Sequence, residues 1–145
     1  MPILFYGHKS GPHKSFSNWY SCPFKWNRIT WANSEQALMS MKSFDKDYQK
    51  KIRKATNPAD AKRLGRAVKL RQDWDQVKFN LMVEILFAKF SQHPDLAEIL
   101  LETGTQSIHE DCNDPWWAGG PNYPGGKDML GRALMLVRKR LGKDL

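Results

Sequence analysis

The stretch SEQALMSMK, Ser34 to Lys42, holds the pair of residues best suited to chemistry. Glu35 and Lys42 stand seven positions apart, two helical turns, so on a helix they project to nearly the same side. Leu38, Met39 and Met41 lie between them. A lysine among apolar neighbours is desolvated, which favours its neutral amine. A neutral amine can attack a sugar carbon or form a Schiff base. A carboxyl beside it can move protons as acid or base. The same pair also suits a helix with no chemistry, because Glu in a first turn and Lys in a last turn each complement the helix dipole.

A second concentration is DPWWAGGPNYPGG, Asp114 to Gly126, with two tryptophans, a tyrosine, three prolines and four glycines. No periodicity is available to bury those rings, so the segment reads as a loop. Trp116 and Trp117 either anchor it on the core or stack on a flat ligand. Stacking on a base is worth about 1–3 kcal/mol. The glycines would let the backbone approach a ligand or move as a lid. Trp31 and Trp74 fall at periodic positions and read as core. Other chemistries find little support. His8, His13, His93 and His109 lack metal-ligand spacing, so no metal is expected. The run GGPNYPGGK fits neither GxGxxG nor GxxxxGKS/T, and no parallel strand is expected ahead of it. Cysteine catalysis lacks an evident histidine partner.

These side chains need a scaffold, and most of it reads as helix. Strands are expected at ILFY (Ile3–Tyr6), RITWA (Arg28–Ala32) and QSIHED (Gln106–Asp111). Asn33 or Ser34 caps a helix from about Glu35 to Phe44, and a basic helix follows around Tyr48–Lys54. Asn57 caps the next, with Pro58 at its first position. That helix turns Ala61, Leu64, Gly65 and Val68 inward and Lys62, Arg63, Arg66 and Lys69 outward. Asp73 starts a helix to Phe90 with Trp74, Val77, Leu81, Ile85 and Ala88 on one stripe. Pro94 opens a helix that Gly104 ends, and a last helix carries Leu130, Ala133, Leu134, Val137 and Leu141. The expected fold is a compact α+β domain, mainly helical, with a small short-stranded sheet.

At 145 residues the chain is expected to form a single domain over 1–145, long enough for a core without staples. Cys22 and Cys112 are too few for a disulfide framework and lack CxxC spacing, which points to a reducing compartment. No apolar run approaches the roughly 20 residues of a membrane helix. A cytoplasmic protein with no membrane partner is expected. The net charge of +8 is concentrated: eleven Lys and Arg between Lys46 and Lys78 face four Asp, a local balance of +7. Such a one-sided excess favours phosphate-bearing partners, either nucleic acid or a phosphorylated small molecule.

The motifs also follow one another in a known order: FSNWY at Phe16–Tyr20, SEQALMSMK, NPADAKRLGR at Asn57–Arg66, and RQDWDQVKFNLM at Arg71–Met82. KF at Lys89–Phe90, LLETG at Leu100–Gly104, DPWWAGG at Asp114–Gly120 and MLGRALMLVR at Met129–Arg138 complete the series. In this the chain resembles the NADAR superfamily of YbiA-like proteins over nearly its whole length. The resemblance implies a helix-rich α+β fold and hydrolysis of N-glycosidic bonds, with no cofactor. Some members look like hydrolases of early riboflavin-pathway intermediates, splitting a pyrimidine-type base from ribose phosphate. Others are similar to enzymes that remove ADP-ribose from guanine in nucleic acid, where a lysine of the Glu…Lys motif is implicated through a Schiff base with ribose.

Carried over, that lysine is Lys42, with Glu35 as its acid/base partner. Asp114 and Trp117 match the family's D-x-x-W-G pattern, and Asp114 joins the expected catalytic set. Phe16, Asn18, Arg71, Trp74, Trp116, Trp117 and Gly120 are the expected substrate-binding positions. The implied partner is ADP-ribosylated DNA or RNA, or a phosphorylated small-molecule N-glycoside. A module that binds without cleaving is the non-enzymatic alternative. The chain departs from the family's common residues at Gln36 (often His), Met39 (often Gln), Ala118 (often Gly) and Asp128 (near a common Asn). Gln36 cannot supply a proton near neutral pH.

Overall fold

A computed structural model describes residues 1–143. Strand β1 (Ile3–Phe5) leads through a single 3-10 turn at Lys14–Phe16 to a hairpin of β2 (Phe24–Trp26) and β3 (Ile29–Trp31). Five helices follow: α1 (Ser34–Ser40), α2 (Lys46–Lys54), α3 (Pro58–Ala67), α4 (Trp74–Ser91) and α5 (Pro94–Glu102). Strand β4 (Ile108–Glu110) returns to lie parallel to β1, and helix α6 (Met129–Lys143) closes the chain. The expected α+β, mainly helical architecture is what forms. Two details differ. The strands make two separate two-stranded sheets, not one. A parallel strand, β4, does precede the glycine-rich loop, although the loop matches neither phosphate-binding pattern.

The strand missing from the sequence reading is β2. Its hairpin turns through Asn27 and Arg28, both left-handed with φ of 54° and 66°. This is the two-residue turn whose twist suits paired strands, usually filled by Asn-Gly. Arginine in the second position hides the signal. Trp31 fixes the turn from within, its indole N–H donating to the Trp26 carbonyl at 2.9 Å.

Helix α1 is buried along its entire length. Asn33 caps it: its side-chain oxygen accepts the Gln36 amide at 2.8 Å, while its own amide reaches the Thr56 carbonyl at 2.9 Å. We expect Asn33→Ala to cost about 1 kcal/mol of unfolding free energy, read from urea denaturation midpoints, with the lost tertiary bond to Thr56 adding to the lost cap. Gln36 is explained as a clamp. It accepts from Ala32 N at 2.8 Å and donates to Ile52 O at 2.9 Å, tying α1 to the end of β3 and to α2. The helix stops at Ser40, not Phe44, because the Met41 and Lys42 amides bond three residues back, to Leu38 O at 3.1 Å and Met39 O at 3.2 Å.

Helix α4 is covered from several sides, by α1, α5, α6 and β2. Its buried residues are therefore Trp74, Met82, Ile85, Leu86, Lys89 and Phe90, while Val77, Leu81 and Ala88 stay half-buried. A single stripe was too narrow a template for a helix packed on several sides, with Gln76, Asn80 and Glu84 left exposed. Lys89 is fully buried, and burial pushes its ammonium down to about 8. Its Nζ donates to the carbonyls of Ser15 at 2.7 Å and Ser17 at 3.1 Å. It thereby pins the loop that carries Asn18 and Trp19. Phe16 packs edge-on between Phe5 and Phe90, at centroid distances of 5.9 and 6.1 Å. Trp31 and Trp74 are core, as expected.

Candidate active site

One cavity of about 490 Å³ gathers five segments of the chain: the end of β1, the loop at Ser17–Trp19, α1 with Lys42, α3, and the stretch after β4. Asn18 joins two of them. Its carbonyl accepts the Glu35 amide at 3.0 Å, and its side-chain oxygen accepts the Ser34 hydroxyl at 2.8 Å. Trp19 then reaches Glu35 directly, donating its indole N–H to Oε2 at 3.1 Å.

Glu35 and Lys42 both line the cavity, but not by the route the spacing suggested. Lys42 lies in the turn beyond α1, and its backbone carbonyl is held by the Arg71 amide at 2.8 Å. Its Nζ donates to Gly65 O at 3.3 Å and lies 5.7 Å from the Trp74 ring centroid. Burial pushes the Lys42 ammonium down; Glu35 opposes this, while Lys78, Arg66 and Lys62 add to it. Burial pushes the Glu35 carboxyl up. The Trp19 N–H, Lys62 and Lys42 favour its charged form, and Asp114 disfavours it. Burial thus favours the neutral form of both groups.

Asp114 also lines the cavity. Its Oδ1 accepts the amides of Trp116 at 2.9 Å and Trp117 at 2.7 Å, so one oxygen shapes the loop. The two indoles meet edge to face at 4.4 Å. Trp117 faces the cavity, while Trp116 lies outside its wall under Lys78, whose Nζ is 4.0 Å from the ring centroid. The loop is anchored at both ends. The carbonyls of Trp116, Trp117 and Ala118 accept the amides of Met129, Leu130 and Asp128 at 3.1, 3.0 and 2.9 Å.

Of the expected site residues, Glu35, Lys42, Asp114, Asn18 and Trp117 come together in the cavity wall. Phe16, Arg71, Trp74, Trp116 and Gly120 do not. Phe16 is core. Arg71 pairs with Asp73 at 2.5 Å and, with Trp74, supports the Lys42 turn. Gly120, at φ 99°, backs onto the His109 ring. The sequence reading missed Trp19, Lys62, Arg66 and Glu110. Lys62 and Arg66 sit four apart on α3 and both line the cavity, Lys62 half-buried and Arg66 exposed as the apolar pattern had placed it. Glu110 was hidden in an expected strand. Burial pushes its carboxyl up to about 7, Glu35 and Asp114 push the same way, and the Cys112 side chain and Lys62 oppose them. The wall thus carries carboxyls at Glu35, Glu110, Asp111 and Asp114 and cations at Lys42, Lys62 and Arg66. Among the described residues no group of His, Cys, Asp or Glu is placed to hold a metal ion, and no helix is long and apolar enough to cross a membrane.

The family model described as the NADAR domain matches residues 4–142. The chain belongs to the NADAR family. This NADAR chain is 37% identical over 142 residues to a protein named N-glycosidase YbiA from Escherichia coli (strain K12), covering 96% of this chain and 88% of that one. It is 34% identical to a protein named riboflavin biosynthesis protein VVA0006 from Vibrio vulnificus, over 97% of this chain but only 38% of that one. The NMR structure of the E. coli protein YbiA superposes with a TM-score of 0.85 at 32% identity, covering 99% of this chain and 88% of that structure. The NADAR resemblance and the expectation of an N-glycosidic hydrolase agree with these names.

Proposed function

We propose that this chain removes ADP-ribose from guanine bases of nucleic acid by hydrolysing the N-glycosidic bond. The observation that carries the chemistry is the meeting of Lys42 and Glu35 in one cavity whose wall also holds Lys62 and Arg66. The Lys42 amine bonds to C1 of the ribose as the base departs. The adduct opens to a Schiff base, and water releases the sugar and restores the amine. Glu35 takes up and returns the protons. Lys62 and Arg66 offer charge-assisted hydrogen bonds to the diphosphate. The exposed cations Arg63 on α3 and Lys69 just beyond it extend the positive field beyond the cavity toward a strand backbone.

A second reading keeps the mechanism and changes the substrate to a riboflavin-pathway base–ribose phosphate. The name of the Vibrio relative, of which this chain matches 38%, favours it. Parallel incubation with guanine-ADP-ribosylated DNA and with the riboflavin intermediate, reading released sugar by mass spectrometry, separates the two. We expect ADP-ribose from the DNA, at a rate that falls steeply as salt rises. Release from the small molecule alone, insensitive to salt, would replace the first reading with the second. Retained binding with no product from either substrate would leave a binding module.

A further inference from the structure

A tryptophan in a cavity wall is ordinarily read as a stacking surface. The Trp19 ring already has neighbours of its own. The Lys62 Nζ stands 5.8 Å over its centroid, and the His8 ring lies at 5.8 Å, tilted by 49°. What Trp19 turns toward the site is its polar edge. The indole N–H donates to Glu35 Oε2 at 3.1 Å, and among the described residues no other side chain donates to that carboxyl. One oxygen is held, and Oε1 is left for the reacting groups. An indole nitrogen only donates, so it can hold the carboxyl in either protonation state without taking its proton.

We propose that Trp19 is a positioning residue, whose N–H fixes the Glu35 carboxyl in the orientation that serves Lys42 and the sugar. This rests on the hydrolase reading above and adds to it the residue that aims its proton carrier. The hold is built into the loop. Lys89 fastens the segment ahead of Trp19 through the carbonyls of Ser15 and Ser17. The Trp19 amide bonds to Ser17 Oγ at 3.1 Å. Asn18 takes the Glu35 amide on its carbonyl and the Ser34 hydroxyl on its side chain, and its side-chain nitrogen reaches Met82 Sδ at 3.4 Å. Loop and α1 are thus tied together beside the indole–carboxyl bond, and the two partners meet on a fixed base. A displacement of about 1 Å at a reacting group is enough to cost roughly 100-fold in rate.

The charged groups that face this carboxyl come from several elements. Burial raises Glu35; the Trp19 N–H, Lys62 on α3 and Lys42 beyond α1 oppose that, and Asp114 after β4 adds to it. Glu110, on β4, feels the same carboxyl. Removing the N–H therefore moves the Glu35 titration further up, whichever way the proton travels in the reaction.

The test uses the full chain with Trp19→Phe, Glu35→Gln and the double variant, on whichever of guanine-ADP-ribosylated DNA and the riboflavin intermediate wild type cleaves. Trp19→Phe keeps an aromatic ring and loses the N–H. We expect its kcat to fall roughly 10- to 100-fold with KM within about twofold of wild type. The limb of the kcat/KM profile against pH that Glu35→Gln removes moves to higher pH in Trp19→Phe. Carbon-13 carboxyl NMR, with no substrate present, shows the Glu35 titration moved the same way. In the Glu35→Gln background the tryptophan change costs less than about twofold, because the residue it acts through is gone. A raised KM with kcat unchanged makes Trp19 a stacking residue, and equal losses in both backgrounds make it structural. Either result overturns the proposal, as does an unmoved Glu35 titration. Loss of turnover in Lys42→Ala alongside any of these leaves the hydrolase reading standing. Absence of base release by wild type sinks the hydrolase reading, and the NMR titration then decides alone whether Trp19 holds Glu35.

Discussion

Lys42→Ala folds and binds its substrate but releases base at least about a thousandfold more slowly than wild type. The expectation follows from the amine's setting. Lys42 is half-buried against Trp74 and Gly65, and its burial favours the neutral, nucleophilic form. Removing it leaves a small gap at the cavity wall, not in the core, so the fold survives. Borohydride added during turnover should trap a covalent sugar adduct on wild type, seen as a mass increase on the peptide carrying Lys42. The alanine variant should give none. Lys42→Arg should not recover activity, because guanidinium stays protonated and cannot attack C1. Full turnover by Lys42→Ala would remove the amine from the mechanism altogether.

The largest loss of stability is expected from Gly131→Ala. Gly131 lies in the first turn of α6, pressed against the backbone carbonyl of Ile108 on β4. A Cβ there collides with that carbonyl oxygen, and the Asp128 side chain stands at 2.8 Å on another side. The first neighbour is backbone, and the Asp128 carboxyl is tied through its other oxygen to His109 at 2.7 Å. Relief requires α6 to withdraw from β4, opening the core around Ile108, Leu130 and Leu134. Overpacking of this kind costs about 3 kcal/mol. For a domain of this size that is a fall in Tm of roughly 10 °C, measurable by differential scanning calorimetry. Gly125→Ala is the control: nothing lies within 4 Å of its added methyl, so its Tm should hold.

The helices were legible because their start signals are local. Asn57 with Pro58, Pro94, and the apolar spacing of α6 each act within a few residues. The β2–β3 hairpin was not, because its turn depends on two left-handed residues and only Asn27 advertises one. In the site, Glu35 and Lys42 were found for a reason that proved half right. Both reach the cavity, yet Lys42 arrives by a turn held by Arg71, a contact between distant segments. Lys62, Arg66 and Glu110 were missed for the converse reason. Polar side chains on an amphipathic element look merely solvent-facing until distant segments complete a cavity beside them. The aromatic loop was undecided between packing and ligand. It packs on the body, with Ala118 buried and backbone carbonyls satisfying the first amides of α6, and it turns Trp117 to the cavity.

The pairing of β1 with β4 joins Ile3 to Ile108, across the greater part of the chain. A polypeptide emerging from the ribosome carries its Glu35 and Lys42 long before it can enclose them. Strand β1 has no partner until β4 appears, and the carbonyls of Trp116 and Trp117 have no amides to meet until α6 follows. Closure of such distant pairings is slow compared with helix formation. The nascent chain therefore exposes a basic helical segment with an unfinished cavity, and becomes an enzyme only when its last helix is free to dock.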